Sequence, residues 1–172
     1  MALASKLGKS YEKVKAETKL KTIHIDLDEV KFDLKVRVPL KKEMETITAT
    51  ILSPDQARVE KIFQRLTEPM VKALEEGGED FVKALNEKKQ TITKTDDDLI
   101  VDGTSVRQVA NFSAIEENKV EQYFRLLVSE TGEPVNETYE QIIEEFPEFV
   151  IREIVAEIDK AIKPDYKTVK KN

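Results

Sequence analysis

Between Val150 and Ile162 apolar residues recur at Val150, Ile151, Ile154, Val155, Ile158, Ala161 and Ile162, while Arg152, Glu153, Glu157, Asp159 and Lys160 fall between them. That spacing is the 3.6-residue period of a helix with one apolar face. Taking its large aliphatic side chains out of water contributes roughly 9 to 18 kcal/mol before chain entropy is set against it. A stripe of this size has to be covered, by the chain's own core or by the surface of a partner. On the partner reading, Val150, Ile151, Ile154, Val155, Ile158 and Ile162 are the binding residues.

The rest of the chain changes period along its length. Ile23, Ile25 and Leu27 alternate with polar residues, and so do Phe32, Leu34, Val36 and Val38, which predicts a half-buried strand or strand pair ending at Pro39. Met44 to Leu52 suits a strand by its Thr and Ile content and a short helix by its length. Ser53-Pro54-Asp55-Gln56 reads as a helix start with Ser53 at the cap, and Val59, Ile62, Phe63, Leu66, Met70 and Leu74 continue the stripe. Pro69 predicts a kink or break near Thr67, Gly77-Gly78 an end, and Asp80 to Lys88 a shorter helix. The Thr-rich and Ile-rich segments on either side of Asp96-Asp97-Asp98 predict a β-hairpin near 90–102. Beyond it, a short helix capped by Thr104 or Ser105 is expected, then a second started by a Ser113/Glu116 capping box, then a helix through Ile142 and Phe146, and the last from Pro147. The expected fold class is mainly α with a minor β component, α+β.

Composition removes most chemistry. There is no Cys, and His24 is the only histidine, so thiol catalysis, disulfides and Cys/His zinc sites are excluded. His24 lies in an alternating strand and reads as an exposed strand histidine, not a base. Asp96, Asp97, Asp98 and Asp102 are the best cation cluster, but Ile100 stands where a calcium loop needs an oxygen ligand, and they read as a hairpin turn. Glu144, Glu145 and Glu148 suggest a di-metal helix, whose histidine this chain lacks. Gly77-Gly78 follows a helix instead of opening one and carries no phosphate-loop lysine. No catalytic, cofactor or metal residue is assigned, and a binding or assembly component is expected.

The net charge of −6 is unevenly spread. Residues 1–21 and 160–172 each carry +4, leaving −14 on the body between them. Such a body repels nucleic acid. The expected organisation is a basic N-terminal arm over 1–21, a single mostly helical domain over 22–162, and a basic tail over 163–172. No apolar run suits a signal peptide or a membrane span, so a cytosolic protein without membrane contact is expected.

The run SPDQARVEKIFQRL, the segment QTITKTDDDLIVDGTSVRQVANFSAIEENKVEQYFRLL and the closing EFPEFVIREIVAEIDKAIKPDYKTVKKN resemble the tail assembly chaperones of long-tailed, lambda-like bacteriophages (siphoviruses), over roughly residues 30 to 172. The resemblance implies a protein of the host bacterial cytoplasm that binds the tape measure protein, keeps it soluble and promotes tube polymerisation around it, acting in several self-associating copies and absent from the virion. It also implies a longer form, made by programmed frameshift, that recruits the tail tube protein. Lys170-Lys171-Asn172 can be encoded by the slippery heptamer A AAA AAC, which makes these residues the candidate frameshift-encoded end. The competing expectation is a structural tail or head-completion protein retained in the virion.

Overall fold

The computed structural model describes residues 19–27, 30–88 and 90–163. Strands β1 (Leu20–Leu27) and β2 (Val30–Arg37) pair antiparallel, with Ile23 opposite Leu34 and Ile25 opposite Phe32. This register puts the apolar set on one face and the polar pairs on the other. On that polar face Lys31 donates to Asp26 at 2.6 Å, and His24 sits 2.6 Å from Asp33. β1 already begins at Leu20, inside the stretch read as an arm; residues 1–18 and 164–172, which hold most of both basic ends, lie outside the described residues.

Met44 to Leu52 is helical, within α1 (Lys41–Leu52). Ile47 and Ile51 are buried one turn apart, and the Thr46 and Thr48 hydroxyls donate to the carbonyls of Lys42 and Met44. Internal bonding of this kind lets threonine sit in a helix despite its β preference. Helix α2 (Gln56–Glu87) starts two residues later than expected, because Asp55 and not Ser53 is the cap: its carboxylate accepts from the Ala57 amide at 3.0 Å. The backbone stays helical through Pro69, where the Thr67 hydroxyl donates to the Phe63 carbonyl at 2.8 Å; the interruption falls at Gly78, with φ 51° and ψ −142°. Only glycine enters that region without strain.

After β3 (Ile92–Lys94) and β4 (Leu99–Val101) comes a third strand, β5 (Thr104–Ser105), that the sequence pattern did not suggest. Asp102 and Gly103 form a two-residue turn with φ of 50° and 78°, the mirror-image geometry that tight hairpins favour. The two helices expected after it are one, α3 (Val106–Phe124). Ser113 and Glu116 lie in its interior, since no glycine or proline between Val106 and Phe124 stops the helix. Short β6 (Leu127–Val128) completes a sheet of order β1-β2-β6, followed by α4 (Tyr139–Glu145) and α5 (Glu148–Ile162). The molecule is therefore mainly helical with two small antiparallel sheets, an α+β fold.

The chain forms two compact units: residues up to Thr48 together with those from Lys119 onward, and Ala49–Asn118. In the first, α5 packs on β1 and buries Ile154 and Ile158 to 1% and 0% exposure, with Ile23, Ile25 and Val36 on the sheet. Tyr123 Oη donates to Asp159 Oδ1 at 2.8 Å, tying α3 to α5. In the second, Val59, Ile62, Ala110 and Ala114 make a small core, with Phe63 and Leu66 against it. Arg107 binds three parts of that unit: it donates to the Asp97 carbonyl at 2.6 Å and to Glu60 at 2.8 Å, and lies 4.0 Å from the Phe63 ring centre.

Candidate functional site

β2 has two apolar residues that the first unit leaves only half-buried, Phe32 and Leu34. They share the sheet face with the fully buried Ile25 and Ile23 opposite them. α5 packs chiefly on β1, so the β2 side of the face opens into a pocket of about 790 Å³. Its floor is the buried Phe124, Leu127, Ile142 and Ile154, and its walls are the half-buried Phe32, Leu34, Val128, Val135 and Phe146. Phe124 and Phe146 meet edge to face, centroids 6.0 Å apart, which fixes the wall against the floor.

Local sequence explains each placement. Thr138 and Gln141 make a reciprocal capping box that starts α4 and turns Ile142 inward. Phe146 leaves that helix in extended conformation before Pro147 opens α5. On the other side, the turn after β6 is closed by the Ser129 amide on the Glu133 carbonyl at 2.8 Å, while the Val135 amide donates to Leu127. These bonds hold Val135 and Glu130 at the mouth.

The rim is acidic. Among the described residues Glu130, Glu137 and Glu145 line it, while Asp33 and Lys35 border it from β2 with their side chains on the polar face of the sheet. Asp33 is engaged by His24, whereas Glu130, Glu137 and Glu145 are exposed and make no ion pair among the described residues. Behind the pocket, Asp159 is held below the ordinary carboxylate range: burial acts to raise it, but hydrogen bonds from Lys163 and Tyr123 outweigh that effect. Tyr123 is pushed well above the usual phenol value by burial and by its bond to Asp159. Among the described residues the Thr22 and Ser129 hydroxyls that line the pocket make no hydrogen bond to a carboxylate or imidazole; the pocket offers apolar contact beside three carboxylates.

The residues singled out from sequence fall elsewhere. Val150, Ile151, Ile154 and Ile158 are buried, Val155 and Ile162 half-buried, and of the six only Ile154 touches the pocket, from beneath. A partner would have to open the first unit to reach Ile158. Lys170, Lys171 and Asn172 lie outside the described residues. Asp98 works as a structural cap: its carboxylate accepts from the Ser105 hydroxyl at 2.5 Å and from the Arg107 amide at 2.9 Å. Burial acts to raise it, but these bonds outweigh that and hold it below its ordinary value. Asp102 accepts from the Thr91 amide at 2.7 Å. Among the described residues no group of His, Asp and Glu is placed to hold a metal, and no helix is long and apolar enough to cross a membrane.

No family model matches this chain, and neither does any curated protein or solved structure. The pocket itself therefore carries whatever functional reading the molecule supports. Sequence reasoning missed it because Phe32, Phe124, Ile142 and Phe146 sit at ordinary core spacings. The one available signal was the run of aromatic residues bracketed by glutamates around Phe146.

Proposed function

We propose that this protein is a tail assembly chaperone of a long-tailed bacteriophage, working in the host cytoplasm as a holdase for the tape measure protein. The observation that carries the reading is the open, preformed apolar groove within the first unit, lined on its walls by Phe32, Leu34, Val128, Val135 and Phe146. A tape measure exposes apolar helical faces until the tube encloses it, and such surface aggregates. A groove of this kind takes one face of a helix, while the −14 body keeps the complex dispersed through self-repulsion. The sequence resemblance over residues 30 to 172 adds to the same reading. In this role the protein solubilises its client, promotes tube polymerisation and leaves before the virion is complete.

Co-expression with the tape measure protein tests it. The expected result is a soluble complex that is lost when Val135 is replaced by Asp in a variant that keeps its far-ultraviolet circular dichroism. A tape measure that stays insoluble in both cases ends the proposal. Mass spectrometry of purified virions separates the competing structural role: the chaperone is absent, a retained tail or head-completion protein is present.

A further inference from the structure

We infer that the groove selects an amphipathic helix whose apolar stripe is flanked by lysine or arginine. This deepens the chaperone reading and rests on it, since it names the chemistry of the client segment.

Size sets the first constraint. A helix is about 10 to 12 Å across with its side chains, so a pocket of about 790 Å³ corresponds to one or two turns. The client therefore presents two or three apolar anchors, spaced three or four residues apart, and the residues beside those anchors meet the rim. Charge sets the second. Glu130, Glu137 and Glu145 stand around the mouth exposed and without ion pairs among the described residues. Glu145 also ends α4, where the helix dipole adds negative potential. Among the described residues the one cation bordering the pocket is Lys35, on the polar face of β2. A cationic flank gains from all three glutamates, and an acidic flank is repelled by them. The same ring argues against a second copy as occupant, because the body of this chain is itself strongly acidic.

The test uses the full chain and three synthetic 18-residue helices that share one leucine stripe and differ only in flanking residues: Lys, Gln or Glu. Fluorescence anisotropy is expected to rank them Lys, Gln, Glu, with about tenfold between the extremes at low salt and about threefold at 0.5 M salt, as screening of exposed charge requires. The E130K/E137K/E145K variant, changed only at exposed positions, is expected to reverse the order. Equal binding of all three peptides, or an order the triple variant leaves unchanged, overturns the inference while leaving the chaperone reading intact. Failure of every peptide to bind removes both. Tighter binding of a peptide copying residues 1–18 assigns the groove to the chain's own basic end, and a dimer dissolved by the Lys peptide assigns it to a second copy; either result overturns the inference.

Discussion

Helices α5 and α2 carry apolar stripes of the same kind and meet different fates. α5 lies on β1 within the first unit, and Val150, Ile151, Ile154 and Ile158 are all buried. In the second unit α2 buries Val59 and Ile62 against Ala110 and Ala114, but Met70, Leu74, Phe81 and Leu85 further along it are half-exposed. Val109 and Phe112 of α3 are exposed too, Phe112 to 59%. An apolar stripe thus specifies a helix without specifying its cover. A sheet offers a continuous face to a helix, whereas two helices touch along a narrow line and leave the ends of the longer one bare.

The comparison is broken most decisively by Ile158→Ala. It should cost about 2 to 5 kcal/mol, because the cavity left between α5 and β1 has no solvent access to relieve it. Urea unfolding measures this, and a loss under 1 kcal/mol would mean that α5 is less firmly covered than its burial indicates. Gly78→Ala comes next, at about 1 to 3 kcal/mol: a Cβ there meets no atom within 4 Å, so the whole effect is the backbone strain of φ 51°. Hydrogen exchange should place that loss in α2 and leave α5 amides protected.

Tyr123→Phe follows, at about 1.5 kcal/mol for a buried hydrogen bond to a carboxylate. It also has a pH signature. The raised Tyr123 contributes stability that is present below the ordinary phenol value of about 10 and is lost above it. The depressed Asp159 contributes stability that is present above about pH 4 and is lost as pH falls further. The variant should therefore lose Tyr123's share of the alkaline limb of the wild-type stability profile and keep a reduced acid limb. Smallest is Leu74→Ala, expected at about 1 kcal/mol or less on the half-exposed part of α2. A larger cost would show that α2 is better covered than its exposure implies.

Much of the architecture was readable where local chemistry alone decides it. The alternation from Ile23 to Val36 gave the strand pair, Pro147 opened the last helix, and Gly77-Gly78 marked the interruption in α2. Readings failed where two local signals competed. Ser53 lost the cap to Asp55, and the capping pattern at Ser113 and Glu116 was overridden by an uninterrupted helix former on both sides. The candidate site was not readable in this way. Phe32 and Ile25 are equivalent by period and sit opposite each other, yet one is half-buried and the other buried.

The sequence by itself determined that this chain carries no thiol and a single histidine, that its body is acidic, and that helical patterns dominate after Ser53. These follow from residue identity and from spacing along the chain, which no folding alters. The tertiary structure decided which apolar faces were used up. α5 went to β1, the face of β2 stayed partly open, and Glu130, Glu137 and Glu145, distributed over 16 positions of sequence, came to ring one mouth. Burial is a property of pairs of surfaces, and the second surface of each pair comes from a distant part of the chain.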